Sequence, residues 1–329
     1  MRTTDTPMRG LLRKLGAAGI PASFAKRMLP SWWEDEVASD PAGLQQAQLY
    51  LSRAFNVDLR SLAEDGQLLR FRANARKYKL SKNVTEDQVS ASANYATGIA
   101  RIALAAFEGE QASVSADPAI LREAILRSHE CVSLGALLEW CREARIPVLH
   151  INEVPGRKMT GLVVRDKGRY AIVLSKKGHP AHLLFHLAHE IGHIGKGHLG
   201  VDGFVADEKI DTESADQDEK EADNYAVCLL NGSNVRYRAG DGRPNLNAEQ
   251  LHIAAIAKGK KAQVDPGHII ANYGFNQDRF AVANSALKCL GGPSQGGAVI
   301  NEFFFSSLDR EFVSDDQLEL LKAATDFRA

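Results

Sequence analysis

His189-Glu190-Ile191-Gly192-His193 sets two imidazoles four residues apart with a carboxylate beside the first. On an α-helix, positions i and i+4 leave the same face about one turn apart. Two imidazoles so placed can bind one Zn2+ at about 2.0–2.1 Å. Glu190 then points to the open side of the ion, where it can take a proton from water and hand it to a leaving amine. A catalytic zinc needs a third protein ligand and leaves the fourth place to water. Glu219-Lys220-Glu221-Ala222-Asp223 offers that ligand downstream. Glu219 and Asp223 share a helix face, so Glu219 is read as the ligand and Asp223 as a hydrogen-bond partner of a ligand imidazole. Glu221 lies about 200° round the helix from Glu219 and becomes the ligand if the helix is rotated. Ala222 is small enough to let two helices approach closely.

Other polar side chains crowd the same stretch. His186, three residues before His189, is read as a hydrogen-bonded structural residue, a partner of a ligand or a substrate contact. His198 and Tyr225 are candidates for donating to the oxyanion of a tetrahedral intermediate.

Positioning such a set requires two crossing helices and a support beneath them. Residues 182–198 read as an apolar helix closed by Gly195 and Gly197, and residues 217–230 as a second helix. Upstream, residues 161–166 and 169–174 are β-branched runs joined by Lys167-Gly168, a hairpin signature, and Pro147 opens a short strand. Residues 199–216 are acidic and loop-like. The stretch 202–218 is expected to border the cleft and to order with substrate. Thr85 caps a long Ala-rich helix, and further helices start at Asp117-Pro118 and near Ser133. Beyond Asn231, helices are expected at about 247–258, 266–273 and 277–290, with a last one after Ser314. The expected fold is α+β and predominantly helical, with a small sheet packed on the HExxH helix. Its expected divisions are a helical region over 1–82, the metal-binding domain over 83–235 and a C-terminal helical region over 236–329.

The first 80 residues read as short helices broken at Pro21, Pro30 and Pro41. A stripe at Leu44, Ala47, Leu51 and Ala54, followed by a turn near Asn56, suggests a helix–turn–helix variant. Arg70, Arg72, Arg76, Lys77 and Lys79, interleaved with Phe71 and Tyr78, either track phosphates or form a solvated linker.

Composition bounds the rest. The 329 residues are 44% hydrophobic and 25% charged, with a formal net charge of −1. That is ordinary for a soluble globular chain of about two domains. The charge is uneven: residues 1–82 hold 14 Lys/Arg against 8 Asp/Glu, whereas 202–223 hold 10 acids against two lysines. No apolar run approaches the ~20 residues that span a bilayer, and no signal-peptide core follows the N-terminal basic residues, so a cytoplasmic location without membrane contact is expected. The four cysteines form no C-x-x-C pair and read as buried thiols in a reducing compartment.

The order hairpin, then Phe185-His-Leu-Ala-His-Glu-Ile-Gly-His193, then Glu219-Lys-Glu-Ala-Asp-Asn-Tyr-Ala-Val-Cys-Leu-Leu230 resembles the ImmA/IrrE family of cytoplasmic zinc endopeptidases. Phe185, Ala188, His189, Glu190 and His193 match that family's first helix motif. Glu219, Ala222, Asp223, Tyr225, Ala226, Leu229 and Leu230 match its second. The resemblance covers about residues 145–232. It implies a gluzincin-like peptidase with one zinc per chain, Glu190 catalytic, and His189, His193 and Glu219 as ligands. The implied substrate is a small helix–turn–helix repressor or antitoxin, whose cleavage derepresses phage, mobile-element, toxin–antitoxin or stress genes. His186 stands where that family often has Thr, and Asn231 where it often has Pro. The alternative readings are a DNA-binding antitoxin- or repressor-like protein, contacting DNA through residues 1–82, with a structural or vestigial metal site, or the toxin of a two-gene module.

Overall fold

The computed structural model describes residues 6–64, 66–72, 75–79, 84–207, 216–239 and 245–327. The fold is α+β and predominantly helical. Among the described residues, four α-helices precede the first strand: α1 (Pro7–Ala17), α2 (Ala22–Lys26), α3 (Pro41–Ala54) and α4 (Leu59–Ala63). After strand β1 (Ala75–Lys79) come α5 (Glu86–Ala105), α6 (Pro118–Leu126), α7 (Leu134–Glu143) and strands β2 (Val148–His150), β3 (Gly161–Asp166) and β4 (Arg169–Leu174). The helix α8 (Pro180–Gly195), strand β5 (Gly203–Asp207) and helix α9 (Gln217–Asn231) follow. The chain ends in α10 (Ala248–Ala262), α11 (Pro266–Asn276), α12 (Phe280–Cys289), α13 (Gly296–Ser306) and α14 (Asp315–Thr325).

The strands form one sheet in the order β1-β5-β3-β4-β2. β3 is antiparallel to both β4 and β5, while β2 joins β4 and β1 joins β5 in parallel. Side chains alternate across a strand, and here both faces are apolar. Leu162, Val164, Ala171, Val173, Phe204 and Ala206 enter one core, together with α1, α3, α5 and α14. Val163, Ile172, Leu174 and Val205 enter the other, beneath α7, α8 and α9. A third cluster holds α10, α11 and α12 around Leu251, Ile270 and Tyr273, and takes in Ala181 at the start of α8. The first core runs across residue 82, because the wholly buried middle of α5 is packed between the N-terminal helices and the sheet.

Two stretches differ from their sequence reading. Residues 203–207, expected within an acidic loop, are a fully buried strand between β3 and β1. Residues 75–79, expected as linker or phosphate-tracking segment, are the edge strand, with Tyr78 edge-on to Phe204 at 5.3 Å. In both, a few apolar side chains packed on the sheet outweigh a charged composition. The helix α13 had no sequence expectation. It packs on β2, where Asn301 accepts from the His150 N–H and donates to the His150 carbonyl, both at 2.9 Å.

Candidate metal centre

Helix α8 is started by Pro180 at its first turn, with the His179 side chain accepting from the Ala181 N–H. Leu183, Leu184, Leu187, Ala188 and Ile191 bury one flank in the core under the sheet, which fixes the rotation of His189 and His193. Helix α9 begins at Asp216, whose side chain accepts from the Asp218 N–H. The two helices meet at small residues. A Cβ on Gly192 would lie 3.0 Å from the Ala222 carbonyl oxygen and 3.1 Å from both Ala222 Cα and Tyr225 Cβ. That closeness carries the Glu219 carboxylate to the imidazoles. Its oxygens lie 3.5 Å from His189 Nε2 and 3.5 Å from His193 Nε2, and the two Nε2 atoms are 3.1 Å apart.

The strand β5 adds a residue that sequence reasoning missed. Asp207, its last residue, sets Oδ2 3.6 Å from His189 Nε2 and 3.4 Å from His193 Nε2. One ligand atom from each of His189, His193, Asp207 and Glu219 lies within 4.8 Å of the other three. The available signal was the apolar triplet Phe204-Val205-Ala206 inside an acidic run, which marks a strand ending on that particular acid.

Outer partners orient the imidazoles. His189 Nδ1 donates to Asp223 Oδ1 at 2.9 Å, which turns Nε2 toward the centre. His193 Nδ1 lies 2.7 Å from His198 Nδ1, and His198 Nε2 lies 3.4 Å from Glu221 Oε2. So Glu221 points away from the centre, half-exposed, and Glu219 is the carboxylate on the imidazole face. His198, a candidate oxyanion donor, backs His193 through its Nδ1. Tyr225 is buried and donates to the Ser115 carbonyl at 3.0 Å, so it too is committed elsewhere. His186 is buried with Nδ1 unpartnered. It lines a cavity of about 470 Å³ with Phe185, Asp223, His268 and Phe275.

Glu190 is fully buried, and its pocket is made by a missing side chain: a Cβ on Gly161 of β3 would lie 1.9 Å from Glu190 Oε1. Burial, and then the neighbouring charge of Asp207, push the Glu190 carboxyl well above its ordinary range. Burial opposes ionisation of Asp207 as well, but the His193 and His189 imidazoles outweigh it and hold that carboxyl low. For His189, burial disfavours the cation, yet Asp207, Asp223 and Glu219 together raise its pKa well above 6.5. His198 falls to about 4, through burial and then the charge of His193.

The donor set fits a divalent cation. The carboxylate oxygens of Glu190, Asp207 and Glu219 are buried without a hydrogen-bond partner. Uncompensated buried carboxylates are costly, and paired or metal-bound ones are the usual form. Two imidazoles with carboxylates are ligands that suit zinc.

The basic candidates of the N-terminal region are spread out. Lys77 pairs with Asp218, and Lys79, itself buried, with Asp216, so both lysines tie β1 to the start of α9. Arg72 donates to the Val57 carbonyl at 3.3 Å, and Arg70 lies 3.4 Å from Gln67 Oε1. The Arg76 side chain lies outside the described residues. No helix among the described residues is long and apolar enough to cross a membrane. Compared with protein-family models, curated proteins and solved structures, the chain shows no match.

Proposed function

We propose that this chain is a zinc-dependent endopeptidase. The observation that carries the reading is the convergence of Glu219 on the Nε2 atoms of His189 and His193, 3.5 Å from each, with Glu190 one residue along the same helix. A zinc ion held by these residues supplies a Lewis acid that acidifies water and polarises a carbonyl. The chain's own part is proton handling and orientation. Glu190, fully buried beside the ligand imidazoles, accepts a proton at its carboxylate and returns it to the departing amine. Asp223 fixes the His189 tautomer, and His198 steadies His193. The substrate class, a small helix–turn–helix repressor or antitoxin whose loss derepresses neighbouring genes, comes from the family resemblance alone.

The test is Glu190→Gln. The variant should retain about one zinc per chain by elemental analysis and lose cleavage of small helix–turn–helix proteins encoded nearby. Equal cleavage by variant and wild type would remove the catalytic reading. A second reading, a DNA-binding regulator with a structural metal, is favoured by one observation: a fourth candidate ligand, Asp207, stands at the centre. Binding of the full chain to duplex DNA that falls steeply with salt, together with an unchanged Glu190→Gln variant, would support it. The full chain is needed because residues 1–82 share their core with α5.

A further inference from the structure

We infer that Asp207 is a fourth protein ligand, filling the vertex that a hydrolytic centre must keep open, so that the chain holds its own metal site closed. This rests on the metal-centre reading above and concerns its regulation. A tetrahedron with bonds of about 2.0–2.1 Å has edges of about 3.3–3.4 Å. The two Nε2 atoms are 3.1 Å apart, the single oxygen Asp207 Oδ2 lies 3.6 Å from His189 Nε2 and 3.4 Å from His193 Nε2, and Glu219 lies 3.5 Å from each through a different carboxylate oxygen. Asp207 thus lies at the same spacing from the imidazoles as Glu219 does, where an outer hydrogen-bond partner would face Nδ1 instead, as Asp223 does.

The centre is also closed to solvent. His189, His193, Glu190 and Asp207 are each 0% exposed and Glu219 is 3% exposed. A peptide reaching this centre must displace something, and Asp207 is the ligand that HExxH chemistry does not require. The strand that carries Asp207 is bonded on both edges, to β3 and to β1. Register pairs Asp207 with Lys79 of β1, and Lys79 is ion-paired to Asp216 at the start of the helix that carries Glu219. The edge strand therefore fastens the two carboxylate-bearing elements to each other. Opening needs the Asp207 carboxylate to leave its vertex; α8 and α9, locked at Gly192 and Ala222, stay in place.

The experiment uses cobalt(II) in the purified full-length protein, with azide as the probe of an open coordination place. Wild type should take up one cobalt, with visible absorption bands that azide does not shift. Asp207→Ala should bind cobalt at least about 10-fold more weakly in competition with a chelator, and its bands should shift on adding azide. Its hydrolysis of unfolded casein should exceed that of wild type. Asp207→Asn, which keeps the shape of the side chain, covers the case in which the alanine variant fails to fold by circular dichroism, and the same azide shift is expected of it. Wild-type bands that shift with azide as readily as those of the variant would overturn the inference and leave the peptidase reading standing. So would a variant that binds cobalt as tightly as wild type. A wild-type protein that takes up no cobalt or zinc would end both.

Discussion

Gly161→Ala tests whether the Glu190 carboxylate sits where the site needs it. The added methyl would lie 1.9 Å from Glu190 Oε1, 2.7 Å from Cδ and 3.2 Å from Cγ. Ordinary contact begins near 3.4 Å, so Oε1 must retreat by roughly 1.5 Å. The strand cannot give way, because Gly161 is paired with Leu174 of β4 on one side and Asp207 of β5 on the other. The helix cannot either, since Leu187, Ala188 and Ile191 flank Glu190 in the core. Overpacking of this kind costs about 1–3 kcal/mol. At about 2 °C per kcal/mol for a long chain, the melting temperature should fall by about 2–6 °C. A misplacement of about 1 Å costs on the order of 100-fold in rate, so hydrolysis should fall at least that far while bound zinc is unchanged. A double-mutant cycle with Glu190→Ala isolates the cause. Removing the carboxylate makes room for the methyl, so most of the lost stability should return in the double variant, a coupling of about 1–3 kcal/mol. Additive effects of the two substitutions would refute the claim that this glycine exists to seat that carboxylate.

Two further outcomes follow from groups outside the centre. The Arg122 guanidinium, in α6, donates to the carbonyls of Leu229 and Leu230 at the end of α9 and of Ala262 and Gln263 at the end of α10. Arg122→Met should lower unfolding free energy in urea by about 3 kcal/mol, since it strands four carbonyls and removes a cation from two helix C-termini; a loss under 1 kcal/mol would refute that role. His268 is buried with both ring nitrogens unpartnered, and burial lowers its pKa from 6.5 to about 4. The unfolded chain binds that proton first, so the contribution is intact above pH 6.5 and is lost as pH falls towards 4, by about 3 kcal/mol. His268→Leu should flatten the stability profile in that window, and an unchanged acid slope would count against the assignment.

The sequence exposed the parts of the centre that obey a helical period. His189, His193, Glu219 and Asp223 stand at i, i+4 spacings on helices with apolar flanks, and spacing alone orders them on a face. Which acid of α9 faces inward was open between Glu219 and Glu221, because helix rotation is set by a neighbour. Gly192 against Ala222 settles it in three dimensions. Asp207, its strand β5 and the edge strand β1 were hidden for a different reason. A five-residue strand gains its stability from the ladder it joins, and β5 joins partners 38 to 46 and 128 residues away in sequence, at Gly161 to Arg165 and Ala75 to Lys79. Local composition there is dominated by charges whose partners lie across the fold, such as Lys77 with Asp218 and Lys79 with Asp216. Charge runs read as solvated until the opposite run is placed beside them.

That same pairing bears on what the N-terminal region is for. A basic segment and an acidic segment 137 residues apart meet between Lys79 and Asp216, and the meeting is asymmetric. Lys79 is 5% exposed at its side chain, whereas Asp216 is 42% exposed. A largely buried ammonium depends on its partner far more than an exposed carboxylate does. The ion pair therefore holds β1 in place more than it holds α9. An edge strand secured in this way covers the outer side of β5, which would otherwise present free N–H and C=O groups next to Asp207. Unpaired edges are where extended peptides add to a sheet. The basic residues of β1 thus have a structural task at the edge nearest the centre, and a nucleic-acid role for Lys77 and Lys79 would require breaking the contacts that perform it.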